Sequence, residues 1–133
     1  MDHRKLATDL LARPSFEVVA WHDPLSVNGL SADSDEALML LCPVLGPSAT
    51  IVLHRLARYA SVGPTEWEPE PFAATFGLSK VSLAPRALSR LSRFGFAQIG
   101  ATQLAVRTTV PHMPVHWLAQ LPEYLRRDLP LAA

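Results

Sequence analysis

A chain of 133 residues with 49% apolar and 18% charged residues fits one domain with a real core, which excludes wholesale disorder. Formal net charge is zero, with 12 Lys and Arg against 12 Asp and Glu, so the chain is not a uniformly basic polyanion binder. No apolar run approaches the roughly 20 residues that span a bilayer, and the single cysteine, Cys42, excludes an internal disulfide or a thiolate cluster within one chain.

In chain order, His3 to Ala12 carries Leu6, Leu10 and Leu11 at helical spacing, and Arg13-Pro14 ends that helix. Thr8 and Asp9 interrupt it as a secretory segment, so a cytoplasmic location is expected. Ser15 to Trp21, with Phe16, Val18 and Val19, reads as a strand. His22-Asp23-Pro24 and Val27-Asn28-Gly29 are turn chemistry. Ser34 is placed to cap a helix whose first turn holds Asp35 and Glu36, and Pro43 should kink or stop it. Gly46-Pro47-Ser48 separates that helix from the next, where Ala49, Val52, Leu53, Leu56, Ala57 and Ala60 keep strict helical spacing.

After a loop at Val62-Gly63-Pro64, Glu66, Glu68 and Glu70 alternate with Trp67, Pro69 and Pro71 and read as a solvated acidic loop. Pro69 to Phe76 is a short helix that leaves through Gly77. Ala73 followed by Gly77-Leu78-Ser79 has the spacing of a helix-turn-helix, although Lys80 to Ala84 lengthens the turn. Pro85 to Phe94 then separates two faces at roughly 100° per residue: Ala84, Ala87, Leu88, Leu91 and Phe94 opposite Arg86, Ser89, Arg90 and Arg93. Phe96 to Ile99 and Gln103 to Val110 flank Gly100-Ala101-Thr102 as a hairpin, with Leu104 and Val106 on one side and Gln103, Ala105 and Arg107 on the other. Val115 to Gln120 and Pro122 to Leu129 read as two short helices or one kinked helix.

The expected fold is mainly α with a small β-hairpin, a winged helix-turn-helix. Residues 1–33 form an N-terminal helix/strand arm, 34–110 the winged-helix core and 111–133 a C-terminal helical tail. Charge is unevenly spread. Residues 1–47 hold three basic and seven acidic residues, whereas 78–133 hold seven basic and two acidic. This asymmetry is compatible with an electrostatic footprint on the second helix and equally with arginines that keep apolar helices soluble.

Few constellations could carry chemistry. The His22-Asp23 pair could do acid–base work but has no partner nucleophile, and turn chemistry accounts for it. His112 and His116 have a metal-ligand spacing, but Pro114 lies between them. Cys42 reads as a small buried residue. No enzyme, metal or cofactor site is expected.

Three strings carry a resemblance: Val19-Ala20-Trp21-His22-Asp23-Pro24-Leu25; Val44-Leu45-Gly46-Pro47-Ser48-Ala49 leading into Leu53-His54-Arg55-Leu56-Ala57; and Leu91-Ser92-Arg93-Phe94-Gly95-Phe96-Ala97 with Leu104-Ala105-Val106-Arg107 and Val110-Pro111. Over roughly Val19 to Arg127 the chain resembles a group of small actinobacterial winged-helix-like proteins of unassigned function. Its helix-turn-helix part looks like that of bacterial transcription regulators. The resemblance implies single-domain cytosolic architecture and carries over no catalytic residue.

The resulting expectation is a module that binds double-stranded DNA and regulates transcription. Arg86, Ser89, Arg90 and Arg93 would face the major groove, and Lys80 and Arg107 would bind phosphates. The chain would act as a homodimer joined through Trp117, Leu121 and Leu125 or through the first helix. The alternative is a protein-interaction adaptor on the same scaffold, its basic helix meeting an acidic surface.

Overall fold

The computed structural model describes residues 1–23, 29–111, 113 and 115–128. It is a mixed α/β structure around one four-stranded sheet, richer in β than the hairpin expected from the sequence. The order is α1 (His3–Leu11), β1 (Phe16–Trp21), α2 (Asp35–Leu45), α3 (Pro47–Val62), β2 (Thr65–Trp67), α4 (Pro69–Thr75), α5 (Leu83–Arg93), β3 (Ala97–Ile99), β4 (Gln103–Arg107), α6 (Val115–Leu118) and α7 (Glu123–Asp128). No helix among the described residues is long and apolar enough to cross a membrane.

The helix starts follow local chemistry. The Asp2 carboxylate accepts the Lys5 amide at 3.0 Å at the start of α1, and Ser34 Oγ accepts the Ala37 amide at 3.1 Å at the start of α2. Pro43 does not stop α2, which runs on to Leu45. Its ring sits on the exposed side of the helix, as does the half-exposed Met39, where an interrupted helical bond costs least. Helix α5 begins at Leu83, two residues before Pro85, because Ser79 Oγ accepts the Leu83 amide at 3.0 Å and the proline falls in the first turn, where its missing N–H has no helical partner anyway. At the end of α4, Gly77 takes φ +66°, and the Leu78 and Gly77 amides donate to Ala73 and Ala74 carbonyls at 3.0 Å each. This left-handed exit is the one expected. Cys42 is half-buried, not buried as expected.

The strand order is β2-β1-β4-β3. β3 and β4 form the expected antiparallel hairpin, with Ile99 opposite Leu104. β1 runs parallel to β4, with Val18 beside Leu104 and Trp21 beside Arg107, and antiparallel to β2, with Phe16 opposite Trp67. The N-terminal strand is therefore a central strand of the sheet. Thr65 to Trp67 is a strand too, where a solvated loop was expected; three residues are too few to show a period of two. Glu66 stays exposed and accepts from Ser15 Oγ at 2.7 Å, while Trp67 turns inward.

Along the sheet, buried Phe16, Val18, Ala97, Ile99, Leu104 and Val106 alternate with more exposed neighbours, so one face meets the helices. α3 packs on β1 and β4, and α5 packs on α3 and β3. Phe72 ties the far side together, meeting Phe16, Trp67 and Phe76 edge-on at centroid distances of 5.1, 5.6 and 5.3 Å.

The C-terminal segment docks on this body. Trp117 lies 5.2 Å from Phe94 and 6.0 Å from Phe96, and Leu121 and Leu125 are each 4% exposed. Of the residues expected at a dimer contact, Leu121 and Leu125 are thus covered by the chain's own body, whereas Trp117 stays partly exposed.

Candidate functional site

The arginine stripe of α5 is where the sequence placed it, but its surroundings are not those of a free helix. Arg86 and Arg93 are exposed. Arg90 is half-buried, and Ser89 is 5% exposed. Helix α1 lies along one flank. There His3 Nδ1 and Ser92 Oγ share a hydrogen bond at 2.7 Å, and Arg4 Nη2 donates to the Ser82 carbonyl at 3.2 Å. On the other flank is the corner between α2 and α3, where the Val44 carbonyl accepts from Arg90 Nη2 at 3.4 Å.

These walls enclose a cleft of about 560 Å³, lined by Arg4, Arg86, Arg90 and Arg93, by the corner from Leu45 to Ala49, and by Leu83, Ala87 and Ser89. Four arginines border it, and among the described residues no Asp or Glu does. Among the described residues none of the four arginines lies within 4.0 Å of a carboxylate. Arg90 is the most enclosed. Its guanidinium stands 5.4 Å from the Phe94 ring centroid, and its buried Nε has no hydrogen-bond partner among the described residues. Among the described residues this part-desolvated charge has no counter-ion.

The corner supplies a second positive element. Gly46 precedes α3 with φ +82° and ψ 161°, a region essentially confined to glycine, and no side chain caps the helix. A Cβ there would meet nothing within 4 Å, so the backbone conformation, not space, requires glycine. Pro47 has no N–H, and Thr50 donates both its amide and its Oγ1 to the Gly46 carbonyl, at 3.2 and 2.7 Å. The amides of Ser48 and Ala49 belong to the first turn, where helical partners do not exist and the helix dipole is positive.

The remaining expected contacts lie elsewhere. Lys80, half-buried in the turn between α4 and α5, does not line the cleft. Arg107 is 12% exposed and held by its own chain: Nη1 reaches Asp23 Oδ2 at 2.6 Å, Nε donates to the Gly95 carbonyl at 2.7 Å, and the guanidinium lies 3.9 Å from the Trp21 ring centroid. The Arg107 charge is matched and two of its nitrogens are engaged within the fold, which counts against the expected phosphate contact. Ser89 lines the cleft but is only 5% exposed, so it offers little surface to a groove. Asp23, read as half of an acid–base pair or as turn chemistry, serves as the Arg107 counter-ion, while His22 beside it is exposed. His112 lies outside the described residues, and among those described no group of three His, Cys, Asp or Glu could hold a metal ion.

Sequence reasoning found Arg86, Arg90 and Arg93 through their helical spacing and missed Arg4 and the corner at Gly46. The missed residues carry a weaker signal: an uncapped Gly-Pro-Ser helix start marks a boundary wherever it occurs. The chain matches no family model, no curated protein and no solved structure in the comparisons made.

Proposed function

We propose that this chain is a protein-interaction module on a winged-helix scaffold that receives an acidic segment of a partner in the cleft beside α5. The succession of α3, α4, α5 and the β3–β4 hairpin supports the winged-helix description, with β1 added beside β4. One observation carries the functional reading: the arginines line a concave, carboxylate-free cleft and do not stand on a convex ridge. A helix with its side chains is about 10–12 Å across, and the major groove is about 12 Å wide, so a reading helix must protrude from its domain. α5 is instead flanked by α1 and by the α2–α3 corner, and in this reading that framing obstructs a duplex. A narrow acidic segment enters such a cleft without that obstruction.

DNA binding by the same cations is the second reading, supported by the exposure of Arg86 and Arg93 and the proximity of Arg4. Fluorescence anisotropy with labelled oligoglutamate and with labelled random-sequence duplex separates the two. Saturable peptide binding that falls in Arg86→Ala and Arg93→Ala is the expected result. Duplex binding tighter than peptide binding, with a steep decline in added salt, would overturn the adaptor reading in favour of DNA.

A further inference from the structure

We propose that the acidic group this cleft is built to take is a phosphate monoester on the partner segment, held between the arginines and the start of α3. The inference rests on the adaptor reading above and adds the ligand's chemical class. A single carboxylate carries one charge and two oxygens. A phosphate monoester carries about −1.5 to −2 charges near neutral pH and three strong acceptor oxygens. The cleft presents far more than one carboxylate can match. Arg4, Arg86, Arg90 and Arg93 line it, and no described carboxylate neutralises any of them.

The kind of cation matters as well. All four are arginines, whose planar forks bind phosphate oxygens in pairs, where lysine would offer only a point charge. Arg90 is already fixed against the Phe94 ring and the Val44 carbonyl, so little of its side-chain entropy remains to be lost on binding. Its Nε is buried without a partner among the described residues, so the cation is under-satisfied by its own chain, and an anion in the cleft would meet the accessible part of the guanidinium. Ser48 and Ala49, at the uncapped start of a 16-residue helix, line the same space, and the positive end of that helix favours negative charge. The volume, about 560 Å³, accommodates a phosphorylated side chain with part of its backbone.

The test titrates the full chain with a labelled phosphoserine peptide and with the same peptide carrying serine or glutamate at that position, using inorganic phosphate as competitor and random-sequence duplex as a further probe. The phosphopeptide should bind roughly tenfold or more tighter than the glutamate peptide, since hydrogen bonds to charged groups contribute that much. Its affinity should fall as pH drops from about 7.5 to about 5.5, through the second phosphate ionisation. Arg86→Ala and Arg90→Met should each weaken it by roughly tenfold or more. Arg58→Ala, exposed on α3 away from the cleft, should leave it unchanged. Circular dichroism of Arg86→Ala checks that the binding loss occurs in a folded chain.

Equal affinity for phosphoserine and glutamate peptides would overturn the phosphate assignment and leave the adaptor reading standing. No binding of either would overturn both. Inorganic phosphate binding as tightly as the phosphopeptide would overturn the peptide source in favour of a free anion, and preferential duplex binding would again point to DNA.

Discussion

Arg107 and Arg90 each hold a guanidinium against an aromatic ring, Arg107 at 3.9 Å from Trp21 and Arg90 at 5.4 Å from Phe94. Around Arg107 the fold closes the account of charge: Asp23 matches the cation at 2.6 Å, the Gly95 carbonyl takes Nε, and the side chain is 12% exposed. Around Arg90 it does not. One long hydrogen bond to Val44 reaches the guanidinium, Nε goes unpartnered among the described residues, and the neighbouring charged side chains in the cleft are three more arginines. A group satisfied from within holds a structure together, whereas a group the chain leaves under-satisfied is available to a ligand. Arg107 locks the end of β1 to β4 and to the exit of α5; Arg90 is half-buried in the wall of a cleft.

Substitutions can break or sharpen this contrast. The largest effect is expected for Arg107→Ala, which strands the Asp23 carboxylate and removes the packing on Trp21; thermal denaturation should report a loss of about 3 kcal/mol. Asp23→Asn keeps the shape but leaves Arg107 without its counter-ion, and a loss of about 2 kcal/mol is expected in urea titration, reduced from the value for a fully buried pair because Asp23 is 18% exposed.

Gly46→Ala probes the other wall of the cleft. A side chain at φ +82° and ψ 161° is strained, so about 1–2 kcal/mol of stability should disappear, together with peptide affinity as the Ser48 and Ala49 amides turn away. The smallest effect on stability is expected for Arg90→Met. Replacing an unmatched, half-buried charge with an apolar side chain of similar length should change stability by less than about 1 kcal/mol, in either direction. A loss for Arg90→Met as large as that for Arg107→Ala would erase the distinction between the two sites.

Much of this architecture was legible in the chain. The apolar spacing of Ala49 to Ala60 marked α3, the separation of Leu88 and Leu91 from Arg86, Arg90 and Arg93 marked α5, and the alternation of Leu104 and Val106 marked the hairpin. β2 was not legible, because three residues carry no detectable period and the prolines and glutamates around it favoured a loop. Half of the site was visible as the stripe on α5. Arg4 and Gly46 were not, because each lies on an element whose own pattern says nothing about which neighbour it meets.

The sequence by itself determined the helices, the hairpin and the grouping of three guanidinium groups, because these follow from local periodicities and from backbone preferences at proline and glycine. Only the tertiary structure decided which cations were matched and which were left open. Parallel pairing of β1 with β4 set Trp21 beside Arg107, with Asp23 bound to the same side chain, and the packing of α1 along α5 turned an arginine face into the floor of a cleft. Those contacts join segments distant along the chain, and their geometry follows from how the core as a whole excludes water.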